Sequence, residues 1–280
     1  MKTRREFLFK AGFACAALAA GRASAGAIIG KKKIPIGIQL YSFRKQGEKD
    51  FAGIIKKAAE IGFAGVEFAG YGPYGDKPAE LRKMLDDAGL KAFGTHTGYN
   101  LVMPDQIQKT IDFHKTIGCP YVIVPWIDPK QMESKDGCIK VAEILTAAHA
   151  TAQAAGLHLG YHAHGGDFKK IDGDLTSWEV LFDHTPKTFI HQMDLGNCLG
   201  GGGDPYKLLE RYPGRSLSVH LKEYGGPEGA VFGKGTVDFK RALTLCSMIG
   251  GTTRYIIEHE SDPEHSFESA KKCLDYIKAL

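Results

Sequence analysis

Residues 139–164 read IKVAEILTAAHATAQAAGLHLGYHAH. Apolar residues recur at helical spacing from Ile139 to Ala155, Gly156 marks a stop, and Leu157–His162 is a short strand-type run tipped by His162 and His164. The same order of helix, glycine and strand recurs along the chain. Strands are expected at Ile34–Tyr41, Gly65–Phe68, Lys91–Thr97, Tyr121–Pro125, Leu157–His162, Thr188–Leu195, Ser216–Lys222 and Arg254–His259. Helical patterns lie between them at Phe51–Ile61, Pro78–Ala88, Pro104–Ile117, Ile139–Ala155 and Val237–Met248, and Phe267–Ala279 closes the chain. Gly62, Gly89, Gly118, Gly156 and Gly250 stand at the helix ends. Eight strand–helix units in this length fit a closed (β/α)8 TIM barrel, an α/β fold in a single domain. A doubly wound open sheet would carry a glycine-rich phosphate loop after its first strand; Gln39-Leu40-Tyr41-Ser42 is not one.

The N-terminus reads differently. Arg4-Arg5 begins a twin-arginine pattern, Ala11–Ala20 is weakly apolar, and Ala23-Ser24-Ala25 resembles a cleavage site. Residues 1–25 are therefore expected to be a Tat-type signal peptide directing a domain of residues 26–280 to the periplasm. Five of the 36 basic residues and one of the 32 acidic residues lie in that segment, which leaves 31 of each sign beyond it. The net charge of +4 thus belongs to targeting, and no basic face for nucleic acid is implied. No apolar run is long enough to span a bilayer, so no membrane association is expected after cleavage. Cys119, Cys138, Cys198, Cys246 and Cys273 lack C-x-x-C spacing and read as core thiols.

In a barrel of this kind, function sits at the C-terminal ends of the strands, on inward-pointing side chains. Strand alternation places His162 and His164 together after strand five, Asp194 with Gln192 on strand six, His220 with Lys222 on strand seven, and Glu258 with Glu260 on strand eight. An acid or imidazole at four successive strand ends points to one divalent cation held by His162, Asp194, His220 and Glu258. That mixed nitrogen and oxygen set suits Mn, Co, Zn, Fe or Ni better than Mg or Ca. His164 competes with His162 as a ligand, and Glu260 with Glu258. Glu67, His96 and Trp126, at the ends of strands two, three and four, are expected to line a substrate pocket. The glycine-rich segment Tyr224–Gly235 is either a lid or a plain solvent loop.

Several strings taken in order carry a family resemblance: Gly65-Val66-Glu67-Phe68, Gly160-Tyr161-His162-Ala163-His164, Met193-Asp194-Leu195-Gly196-Asn197, Val219-His220-Leu221-Lys222-Glu223 and Ile257-Glu258-His259-Glu260. The chain resembles the xylose isomerase-like TIM barrels, the sugar phosphate isomerase/epimerase family. The resemblance implies a metal held by a Glu, an Asp, a His and a Glu after strands five to eight, and Asp194, His220 and Glu258 match the last three. At the first, where many members have Glu-Asn-His, this chain has His162-Ala163-His164, which looks like a branch with Tyr-His-Asn-His. Epimerases of the family exchange a proton between two opposed Glu ligands, and one of these is missing here. Asn197 stands where those epimerases often place a substrate-binding His.

The expected reaction is metal-dependent isomerisation or epimerisation of a sugar or keto-sugar through an ene-diolate. Glu258 or Glu260 would be the base, His162 or His164 the partner acid or a ligand, and Lys222 either a stabiliser of developing negative charge or an ion-pair partner of Glu258 or Glu260. His164, Asn197 and Glu260 join the substrate-binding set. The alternatives are a 3-keto-glycoside lyase or hydrolase at the same metal site, and a sugar-binding barrel without catalysis. The expected partner is a small sugar, and a homo-oligomer is allowed.

Overall fold

The structure is a computed structural model and describes residues 33–280. The signal peptide expected at residues 1–25 lies outside the described residues. Eight parallel strands form the core: β1 Ile36–Gln39, β2 Gly65–Phe68, β3 Lys91–His96, β4 Tyr121–Val124, β5 His158–His162, β6 Ile190–Gln192, β7 Ser218–Leu221 and β8 Arg254–Ile257. They run in the order β6-β5-β4-β3-β2-β1-β8-β7. Between β6 and β7 the ladder is short. His191 N–H donates to the Arg215 carbonyl at 2.9 Å and His220 N–H to the Met193 carbonyl at 2.8 Å, with Asp194 and His220 forming an isolated parallel bridge. These contacts bring the ends of the sheet together, and the fold is a single-domain TIM barrel.

Helices α1 Phe51–Ile61, α2 Pro78–Ala88, α3 Ile107–Ile117, α4 Lys135–Ala154, α5 Ser177–Asp183, α6 Pro205–Arg211, α7 Phe239–Leu245 and α8 Ser266–Ala279 follow the eight strands in turn. Their apolar faces and the outward faces of the strands make one continuous core that includes Val66, Phe68, Leu159, Tyr161 and Trp178. Gly62, Gly89 and Gly118 end α1, α2 and α3 in the left-handed conformation, at φ 98°, 68° and 69°, as a helix–turn–strand reversal requires.

Some boundaries differ from the sequence expectation. Helix α4 begins at Lys135, four residues early, because Ser134 accepts from Gly137 N–H and starts it. Helix α7 begins at Phe239, where Asp238 caps it, and then loosens into a π-helical turn at Cys246–Gly250. The left-handed stop is accordingly Gly251 rather than Gly250. Strand β6 ends at Gln192, so Asp194 lies beyond it. The five cysteines of the described residues are buried and unbridged.

Inside the barrel, the lower layer is apolar. Phe93 fills the space left by Gly37 and Gly65, where a Cβ on either glycine would collide with its ring. Tyr121, Ile123 and Ile190 pack as a separate small cluster, and the Arg254 guanidinium lies 3.9 Å from the Tyr121 ring centroid. One alternation higher, the inward positions turn polar: Gln39, Glu67, His162, Gln192 and His220 are all buried. A polar layer above an apolar plug confines the chemistry to the mouth. Among the described residues no helix is long and apolar enough to cross a membrane.

Candidate metal centre and substrate mouth

Each residue of the expected ligand set comes from a different strand end. His162 is the last residue of β5 and His220 the third of β7. Glu258 directly follows β8, its N–H donating to the Leu221 carbonyl at 3.0 Å. Asp194 caps the short helix Leu195–Gly200, its Oδ1 accepting from Asn197 N–H at 2.7 Å. One donor atom from each of the four lies within 4.8 Å of the others, and all four residues are buried.

The electrostatics of this cluster suit a cation. Asp194 Oδ2 is buried without a hydrogen-bond partner, and 3.8 Å separates it from His220 Nδ1. Burial, partly offset by the Lys222 charge, pushes the Asp194 carboxyl up to about 6. An orphaned buried carboxylate oxygen carries an uncompensated desolvation cost. At His220, burial acts downward, but the charges and hydrogen bonds of Glu67 and Glu258 prevail and raise the imidazole to about 10. At Glu258, burial acts upward and is outweighed by His220 and Lys222, which hold the carboxyl down at about 2. Burial, reinforced by the neighbouring His220 and His96, holds His162 well below 6.5, so it is neutral. Protonated His220 places a positive charge between the acids. Two carboxylates and two imidazoles around an orphaned oxygen fit a mixed-ligand divalent site.

The remaining expected residues divide into two groups. Lys222 Nζ is paired with Glu260 Oε1, the ion-pair alternative of the sequence reading, at the rim of the cluster. Trp126 is 57% exposed and, with His164, Tyr161 and Met132, lines a cavity of about 490 Å3. The His164 Nδ1 is buried without a partner, and the His162 and His164 rings stand 4.9 Å apart. These groups face the mouth.

Glu67 does not. It is fully buried, and both oxygens are engaged: Oε1 with His220 Nε2 at 2.5 Å and Gln39 Nε2 at 3.1 Å, Oε2 with Gln192 Nε2 at 2.7 Å. Glu67, expected to line the substrate pocket, is thus buried beneath the mouth with protein donors on both of its oxygens. His96 sits one layer deeper than a rim residue, stacked 5.4 Å from the His220 ring and bonded to Gln39 and Gln192. Asn197 turns its amide to the Ala163 carbonyl at 3.0 Å, which ties the β5 and β6 tips together. The Tyr224–Gly235 segment is pinned at both ends by the Glu223 carboxylate, which accepts from Tyr224, Gly233 and Val237 N–H. That geometry gives a fastened loop rather than a hinged lid.

Sequence reasoning missed two functional neighbours, Gln39 and Gln192. Gln192 shares the inward parity of Asp194, so strand alternation carried the signal for it. Gln39 ends β1, a strand tip without acid or imidazole.

A buried carboxylate–imidazole cluster with the donor atoms to hold a metal ion thus lies at the C-terminal mouth of a (β/α)8 barrel. The chain belongs to the xylose isomerase-like TIM barrel family, whose model matches residues 55–280. It is similar to the inosose dehydratase of Geobacillus kaustophilus, 23% identical over 271 residues, which cover 81% of this chain and 86% of that protein. Among solved structures it resembles a sugar phosphate isomerase/epimerase from Parabacteroides distasonis, at a TM-score of 0.76 and 24% identity over 89% of this chain and 99% of that one. It also resembles the IOLI protein, solved with a bound zinc atom, at a TM-score of 0.69 and 13% identity over 87% of this chain and 98% of that one. At these identities the structural likenesses establish the fold.

Proposed function

We propose that this chain is a metal-dependent isomerase or epimerase acting on a sugar or keto-sugar by enolisation. The observation that carries the reading is the convergence of His162, Asp194, His220 and Glu258 within 4.8 Å around the unpartnered Asp194 oxygen. A divalent ion of the Mn, Co, Zn, Fe or Ni type, bound there, supplies electrophilic stabilisation of the charge that develops on the substrate oxygens. Glu258, ionised at neutral pH, takes the proton from the carbon beside the carbonyl. Lys222, tethered to Glu260, brings a positive charge to the same rim. Trp126 offers an indole face to the C–H surface of a sugar ring, and the apolar plug beneath keeps bulk water out from below.

The remaining proton-active groups are imidazoles, His162 and His164. With one carboxylate base, returning the proton to the former carbonyl carbon on the same face, while the neighbouring hydroxyl proton passes to the former carbonyl oxygen, completes an aldose–ketose isomerisation. Inversion at the original carbon requires His162 or His164 to deliver a proton from the other side.

A second reading, elimination from a keto-sugar or keto-glycoside, is favoured by a specific observation. A relative over most of the chain is named a dehydratase, and expelling a group from an enolised substrate needs no second opposed carboxylate. Metal-loaded protein incubated with keto-sugars and keto-glycosides in deuterated water separates the two. Deuterium uptake without cleavage supports isomerisation or epimerisation, and release of water or an aglycone supports elimination. Neither outcome with any substrate or metal leaves a non-catalytic sugar-binding barrel.

A further inference from the structure

We infer that Gln39, Glu67 and Gln192 form a buried second layer that fixes the imidazole tautomers, so that His162 presents Nε2 and His220 presents Nδ1 to the cation while His96 presents neither nitrogen. This inference rests on the metal reading above and assigns its atoms.

Glu67 is fully buried among nitrogen donors. The Gln39 amide oxygen accepts from Tyr41 N–H, which turns the Gln39 NH2 onto Glu67 Oε1, and a carboxylate so placed accepts hydrogen bonds. Gln192 approaches Glu67 Oε2 at 2.7 Å and must therefore turn its NH2 toward it, since an amide oxygen there would face the carboxylate with no proton between. Gln192 Nε2 also donates to Ser218 Oγ at 3.1 Å. The amide oxygen is thereby aimed the other way, at His162 Nδ1, 3.0 Å distant, and at His96 Nε2, 3.2 Å distant.

An amide oxygen accepts and never donates. His162 must carry its proton on Nδ1, which leaves the lone pair on Nε2. His220 Nε2 contacts Glu67 Oε1, so it too must carry a proton, and its other nitrogen, Nδ1, is the one that faces Asp194 Oδ2 and Glu258 Oε2. Gln39 Nε2 serves both Glu67 Oε1 and His96 Nδ1, at 3.1 and 3.4 Å. His96 then accepts on Nδ1 and donates from Nε2, and neither nitrogen remains for a metal. This excludes the competing trio His96, His162 and His220, whose donor atoms also lie within 4.8 Å of one another. Orienting partners of this kind fix a ligand's tautomer and raise its basicity. Room for Glu67 depends on Gly94, where a Cβ would collide with Glu67 Oε2, beside a register shift between Val66 and Glu67.

The test is imidazole nitrogen NMR on the 15N-labelled, zinc-loaded protein, paired with zinc affinity measured by chelator competition. The expected spectrum has His162 protonated at Nδ1 and metal-bound at Nε2, His220 protonated at Nε2 and metal-bound at Nδ1, and His96 unshifted by zinc. Glu67→Gln and Gln192→Met, checked for native circular dichroism, are expected to bind zinc about 10–100-fold more weakly. Zinc held through the opposite nitrogens or by His96, or affinity unchanged in both variants, overturns this inference while leaving a metal site in place. A wild type that takes up no zinc overturns both this inference and the metal reading. Because the spectrum is taken on the wild type, a variant that fails to fold does not remove the test.

Discussion

Glu67 Oε1 and His220 Nε2 are separated by 153 residues in the chain and meet at 2.5 Å beneath the mouth of the barrel. Strand β2 and strand β7 lie three places apart in the closed sheet order, so this contact crosses the barrel interior. It ties the polar layer to the cluster above it.

Asp194 bears the clearest stability signature. In the metal-free protein at pH 7 its carboxylate is ionised although burial raises it to about 6, so it destabilises the fold. Asp194→Asn keeps the capping acceptor for Asn197 N–H and removes the charge. Metal-free Asp194→Asn is expected to be more stable than wild type by about 1–3 kcal/mol. Added metal should stabilise wild type and leave the variant unchanged. Denaturant melts with and without metal check both halves, and a destabilised variant would contradict the account.

Much of this was legible in the sequence. Strand alternation and the helix–glycine–strand rhythm suffice to place His162, Asp194, His220 and Glu258 at successive strand tips, because both follow from local periodicity. Glu67 shows where that reasoning stops. Its inward parity is readable, but its burial is not, because that depends on the β2–β3 register shift and on Gly94 leaving space. The inward parity of Gln192 was readable, but the roles of Gln39 and Gln192 were not, for a related reason. A neutral amide carries no chemistry until its neighbours dictate which end faces which. Asn197 lies in a matching string, yet its amide is turned onto the Ala163 carbonyl, a contact between two loops that no spacing encodes.

Gly94→Ala probes the layer without touching a ligand. The added methyl forces Glu67 to shift, and overpacking at such a site costs about 1–3 kcal/mol. Thermal melts should show that loss together with weaker metal binding, whereas Gly166→Ala, where a Cβ meets nothing within 4 Å, should show neither.

Trp126 lies at the exposed wall of the cavity beside His164. Trp126→Ala is expected to raise KM roughly 3–10-fold and to leave kcat within about twofold, since the indole touches no group of the cluster. Steady-state kinetics on whichever substrate exchanges deuterium would decide it; a collapse of kcat alone would place Trp126 in the chemistry instead.

Stability should fall in acid for a reason unconnected with the site. His114, buried in α3, donates from Nδ1 to the Thr110 carbonyl at 2.6 Å and contacts Thr95 Oγ1 through Nε2. Burial lowers it to about 4, only partly opposed by the Thr110 bond. The native state then binds fewer protons than the unfolded chain between about 4 and 6.5, so stability rises with pH across that window and is flat above it. Its share is about 3 kcal/mol at most. Urea titrations at pH 4.5 and pH 7 should show the loss, and His114→Gln should flatten the slope. An unaltered slope in the variant would remove His114 from the explanation.

The central claim is that four side chains from the last four strand ends clasp one cation. Crystals of manganese- or zinc-loaded protein, measured at the metal's absorption edge, test it directly. The account predicts a single strong anomalous peak within coordination distance of His162, Asp194, His220 and Glu258. Fully loaded protein with no peak there, or with its only peak at another site, would contradict it.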